Sequence, residues 1–202
     1  MENRLEEILG KIEALEEELK TEIEARRSQF SYKVEGARAV FEAQVAASHR
    51  KMKVGLLRWL VKSRPLHMVT SPFIYALIVP LALTDLFVSL YQAVCFPVYR
   101  IPKVKREKYI VVDRHRLEYL NTLEKINCVY CGYSNGLLAY VREIASRTEQ
   151  YWCPIKHARK SEGTHSRYPR FIDYGDPEAY AARLKRLRKA LEKEQGSEKP
   201  GD

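Results

Sequence analysis

A mainly α-helical fold follows from three features of this 202-residue chain. Leu5, Ile8, Ile12, Leu15 and Leu19 recur at alternating steps of three and four, the period of a helix seam. Leu66 to Tyr99 is an apolar run with no Lys, Arg or Glu, long enough for a helix that meets lipid. Tyr180, Leu184, Leu187 and Leu191 line one face of a last helical segment. The one strand-like run is Tyr109-Ile-Val-Val-Asp113, short and rich in branched residues.

Residues 1–48 read as one long amphipathic arm. After Ile23 the apolar phase shifts to Phe30, Val34, Ala37, Phe41 and Val45, with a stutter over Glu22 to Arg27. Two readings fit this arm: a solvated helix packed on its own domain, or a coiled-coil arm that joins a second copy or another protein. The segment is acidic, with eleven Glu against seven Lys and Arg.

Residues 49–108 read as a membrane-associated region. His49 to Arg64 carries six Lys and Arg beside Leu56, Leu57, Trp59, Leu60 and Val61, the make-up of an interfacial anchor. In the apolar run that follows, Asp85 is the sole acidic residue. A bilayer crossing takes about 20 apolar residues. Pro72, Pro80 and Pro97 punctuate the run, and Pro80 breaks or kinks a helix. Residues 100–108 add five basic side chains and one Glu. With both flanks basic, the positive-inside rule gives no orientation. The pattern favours a re-entrant hairpin over a single kinked span. Asp85 fits a turn or helix cap better than an intramembrane functional group.

Residues 109–160 hold the feature with most chemistry: Cys128-x2-Cys131, a gap of twenty-one, then Cys153-x3-His157. Three thiolates and one imidazole in two close pairs suit a tetrahedral divalent ion, with Zn2+ the default. In this reading Gly132 shapes the turn around the sulfurs, and Asn135-Gly136 starts a helix between the half-sites. A helix is also expected over Arg116 to Lys125. An iron–sulfur centre asks for a fourth cysteine, and Cys95 lies in the apolar run. A redox Cys128–Cys131 pair lacks a thioredoxin-like surround. His115 and His165 compete with His157 as ligands. Metal-binding thiolates and the four-cysteine total point to a reducing compartment. Glu143 and Arg147, four apart, read as a surface ion pair.

Residues 161–202 are a loop and a basic helix. Asp176-Pro177 is a helix start with an Asp cap and Pro in the first turn, and Gly196 to Asp202 reads as disordered. The net charge of +9 asks for an acidic partner. Placed around the apolar run, it indicates an anionic lipid bilayer and argues against nucleic acid.

Residues Ser71 to Lys160 resemble a family of uncharacterised bacterial inner-membrane proteins. The resemblance rests on Asp113-Arg-His, Asn127-Cys-Val-Tyr-Cys-Gly-Tyr-Ser-Asn-Gly, Tyr140-Val-Arg-Glu-Ile-Ala and Arg147-Thr-Glu-Gln-Tyr-Trp-Cys-Pro-Ile-Lys-His-Ala. It implies a bacterial inner-membrane location and no activity. The expectation is therefore a cytoplasm-facing, membrane-anchored zinc module that acts as a scaffold or binds a partner. The alternative is an enzyme on a lipid or membrane-bound substrate, using Asp113, His115, Arg142 and Glu143. No phosphate loop, nucleophile elbow or His-Glu-x2-His motif is present.

Overall fold

The structure, a computed structural model, describes residues 2–28, 32–35, 38–41, 43–56, 58, 61 and 64–197. It is mainly helical. In order it has α1 (Glu2–Ser28), β1 (Tyr32–Glu35), β2 (Arg38–Phe41), α2 (Ala43–Lys51), α3 (Pro65–Ala76), α4 (Ile78–Tyr99), α5 (Thr122–Trp152) and α6 (Pro177–Ser197).

The first 48 residues are not one helix. After α1 the chain forms an antiparallel hairpin, with Tyr32 opposite Phe41 and Glu35 opposite Arg38. The residues that looked like a second helical phase, Val34 and Phe41, lie in its strands. Tyr, Val and Phe favour the pleated surface of a strand. The apparent stutter thus precedes the end of α1. Trp59, Leu57, Leu60 and Lys62 of the expected interfacial anchor lie outside the described residues.

The apolar run is almost continuous helix, 35 residues from Pro65 to Tyr99. Pro80 has no N–H for the carbonyl of Ala76, which is where α3 ends. The ladder resumes at once, since the Leu81 N–H bonds the Leu77 carbonyl at 3.2 Å. Leu77 itself keeps helical angles of −61° and −16°. The proline therefore interrupts the ladder at one carbonyl without reversing the helix, and the re-entrant hairpin expected from sequence is not formed.

α5 is a single helix of 31 residues. Asn121 caps it: the Glu124 N–H bonds the Asn121 side chain at 3.0 Å, and the Glu124 carboxylate takes the Asn121 N–H at 2.8 Å. This reciprocal capping box sets the start at Thr122. The helix expected over Arg116 to Lys125 is instead a 3-10 turn at Arg114–Arg116 followed by the start of α5. The strand-like Tyr109–Asp113 run forms no strand: Tyr109 closes a 3-10 turn with angles of −107° and −42°, and Asp113 precedes the next one.

α4 and α5 run parallel. Tyr75 and Ile74 meet Asn127 and Tyr130, Asp85 meets Tyr133, Gln92 meets Tyr140, and Tyr99 meets Tyr151. Two parallel neighbours need a long crossover, and residues 100–121 provide it by running back between them. Gly132 and Gly136, one turn apart on α5, open the groove it uses. A Cβ on Gly136 would stand 2.6 Å from the Tyr109 carbonyl oxygen, and one on Gly132 would stand 3.2 Å from that of Val111. The core forms where α4, the crossover, α5 and α6 meet, around Phe96, Ile101, Val104, Leu137, Tyr140, Ile144 and Leu191.

α6 begins as the sequence predicts, with the Asp176 carboxylate accepting the Ala179 N–H at 2.8 Å. Leu187 and Leu191 are buried. The helix continues through Ser197, and residues 198–202 lie outside the described part.

Candidate functional site

The four expected metal ligands are not brought together. Cys128 and Cys131 lie inside α5, while Cys153 is its C-cap residue. Twenty-two residues of rise at 1.5 Å place Cys131 about 33 Å from Cys153 along the axis, whereas a shared zinc needs all ligand atoms within about 2.3 Å of it. The donors present do not fit the Cys3His site. Among the described residues no group of three His, Cys, Asp or Glu side chains is placed to hold a metal ion.

The residues of the motif have other work. Gly132, Ser134 and Gly136 are buried, and the two glycines admit the crossover. Asn135 lies in mid-helix, where its amide donates to the Cys131 carbonyl at 3.0 Å. Cys131 and Cys153 are exposed, and Cys128 and Cys95 are half-buried. His157 stacks on Tyr168 at 5.9 Å, and its backbone N–H donates to the Tyr168 hydroxyl at 2.6 Å. His165 pairs with Glu149 at 2.8 Å.

The polar residues proposed for an enzyme are also apart. His115 borders a groove of about 540 Å3 between α3–α4 and the start of α5, with Tyr75, Ile126 and Tyr133. Arg142 and Glu143 lie about 15 Å further along the axis of α5 than Gly132, against which Val112 and Arg114 pack. Arg142 is engaged by the carbonyls of Gly163 and Thr164.

Glu143 is not in a surface pair. It accepts from Arg147 at 2.8 Å and Arg167 at 2.7 Å. Arg147 is 5% exposed and also bonds the Pro102 carbonyl at 2.8 Å, while Arg167 reaches Glu194 on α6 at 2.6 Å. Burial pushes the Glu143 carboxyl up, but the Arg167 and Arg147 guanidiniums outweigh it and hold its pKa below the ordinary value. This network joins α5, the loop after it and α6.

The surface that remains unexplained by packing is α4. Every exposed residue from Ile78 to Val98 is apolar. Leu83 is 50% exposed, Phe87 64%, Leu90 57% and Val98 72%. Its polar side chains face inward. Asp85 holds Arg106 through two bonds of 3.0 and 2.7 Å and accepts from Tyr133 at 2.9 Å. Gln92 is buried. It takes the Val104 N–H at 2.6 Å and donates to the Tyr140 hydroxyl at 2.9 Å. Tyr91 bonds Thr148 at 3.0 Å. Asp85 is therefore at neither the turn nor the cap expected from sequence; inside the helix it is a bidentate partner of Arg106. The inward polar seam was missed in the sequence. Its signal was present: Asp85, Ser89 and Gln92 recur at four and three, one face of a helix.

α1 presents a second exposed apolar feature. Leu5 is 39% exposed, Ile12 47%, Leu15 63% and Leu19 59%. Near its beginning Leu5 and Leu9 line a cleft with Phe171 and Leu187, and Glu13 pairs with Arg170 at 2.5 Å.

These features define a mainly helical protein with, among the described residues, one helix long and apolar enough to cross a membrane. No family model matches the chain, and no curated protein or solved structure matches it.

Proposed function

We propose that this protein is a cytoplasm-facing scaffold or partner-binding protein of a bacterial inner membrane, held in the lipid bilayer by α3–α4. The observation that carries this reading is the inverted polarity of α4, with apolar side chains outside and Asp85, Ser89 and Gln92 inside. A soluble helix does the opposite, and a continuous exposed apolar face marks an interaction surface. The basic residues on both sides of the run supply attraction for anionic headgroups. The exposed seam of α1 is the element that recruits a second copy or another protein.

Zinc is not part of this reading, because the axial separation of Cys131 and Cys153 leaves no shared site. The enzyme alternative gains no support from convergence of Asp113, His115, Arg142 and Glu143. Flotation of the intact chain on vesicles of phosphatidylethanolamine and phosphatidylglycerol tests the anchoring. Co-flotation that survives high salt is expected, and protein left at the bottom of the gradient would contradict the reading.

A further inference from the structure

We infer that α3–α4 lies along one leaflet of the membrane, with its outer face sunk among the acyl chains and the rest of the chain on the same side. This rests on the membrane reading above and sets its geometry.

Length gives the first argument. The 35 residues from Pro65 to Tyr99 span about 52 Å at 1.5 Å per residue, against a hydrocarbon core of about 30 Å. The rest of the protein backs this helix from Tyr75, which touches Tyr130, to Tyr99, which touches Tyr151 and Trp152. That backed length is about 36 Å. The ten residues before Tyr75 cover about 15 Å, half of what a crossing needs. A perpendicular crossing must therefore draw the backed part into the hydrocarbon.

The backing is unsuited to that. The crossover carries Lys103, Glu107, Lys108, Arg114 and Arg116, all exposed. Charged side chains at membrane depth are costly and are found facing a bundle interior or a water-filled cavity. Here they would face lipid. With the helix in the plane of the surface, the same side chains stay in water or among anionic headgroups.

α4 is also one-sided. Ile78, Leu83, Leu86, Leu90, Val94 and Val98 are exposed, while Asp85 and Ser89 are half-buried and Gln92 is buried. A helix with a broad apolar face and its other face against polar structure sits at the boundary of headgroups and acyl chains, some 5–10 Å deep. Arg64 before α3 and Arg100 after α4 are both exposed, so each end has a cation at headgroup level.

The test uses the full chain with a tag at each terminus, expressed in bacteria and collected as sealed inverted membrane vesicles. Protease added outside is expected to remove both tags, since both termini lie on the former cytoplasmic face. Removal of only one tag means a crossing and overturns the inference while leaving the membrane reading intact. Failure to sediment with the vesicles, with the chain recovered as a soluble oligomer, overturns both. A depth measurement separates in-plane helix from re-entrant loop. Nitroxides on Val79→Cys, Leu86→Cys and Val94→Cys, with Cys95, Cys128, Cys131 and Cys153 changed to Ser, are expected at equal depth. A maximum at Leu86 flanked by shallower positions would overturn the in-plane geometry.

Discussion

α1 and α4 both show apolar side chains to their surroundings, and they do so in opposite ways. On α1 the exposed Leu and Ile form a narrow seam, and Glu and Lys fill the other faces, with ion pairs such as Lys11–Glu7 at 2.6 Å. On α4 the exposed surface from Ile78 to Val98 has no polar side chain, and the polar residues are turned inward onto Arg106, Tyr133, Val104 and Tyr140. A narrow seam bordered by charge suits another helix, whose flanking residues must remain in water. A broad uncharged face suits lipid. Counting exposed apolar residues would not separate the two. The width of the face and the destination of the polar residues do.

The largest disturbance to this contrast should come from Gly136→Val. The added carbons would meet backbone of Tyr109 and Ile110 at under 3 Å, so the crossover must move and Arg106 leaves Asp85. A loss of about 3 kcal/mol is expected, as in severe overpacking, read by thermal unfolding in detergent. Unchanged stability would mean that the crossover does not lie in the glycine groove.

Gln92→Leu should cost less, about 1–3 kcal/mol, because the buried Val104 N–H and Tyr140 hydroxyl lose a partner. Hydrogen exchange at Val104 should rise with it. If exchange there were unaltered, the inward polar seam would not be holding the crossover.

Ile12→Glu with Leu15→Glu should leave the melting temperature within experimental error, since both positions face solvent. It should abolish cross-linking between copies if the seam of α1 joins two of them. Cross-linking that persists would place self-association elsewhere.

The smallest effect is on pH dependence. Glu143 has a folded-state pKa below the ordinary 4.5. Its contribution is therefore full above the unfolded value and is lost as pH falls through the folded one. The α5–α6 contact should loosen below about pH 4.5, seen as faster hydrogen exchange near Leu187 and Leu191. Glu143→Gln should flatten that change.

Much of the fold is legible in the sequence. The apolar run, the Asp176 cap and the leucine face of α6 lie where the pattern puts them. The capping box Asn121-Thr-Leu-Glu124 was equally readable and gives the start of α5. The cysteine segment misled for a physical reason: a spacing of three places two side chains on one turn of a helix as readily as on a metal-binding loop. The deciding signal was Gly132 and Gly136, four apart on one face, followed by Leu137, Tyr140 and Ile144 at helical steps. Small residues at such spacing let another backbone approach. Pro154 after Cys153 then ends the helix, as the residue before a proline is pushed out of helical angles. What the pattern could not carry is the pairing of distant segments. Nothing in the neighbourhood of Asp85 names Arg106, and nothing near Gln92 names Val104. The same holds for the burial of Glu143, whose second arginine is twenty-four residues away.

The central claim is that the outer face of α4 is the surface that meets lipid. The direct measurement is vesicle flotation of the wild type beside Leu83→Gln/Phe87→Gln, with thermal unfolding of both. Removing two large apolar side chains from lipid costs roughly 3 kcal/mol or more, about a hundredfold in partitioning, while melting should be unchanged because both positions are exposed. Equal flotation of the two proteins would contradict the account and move the membrane contact away from α4.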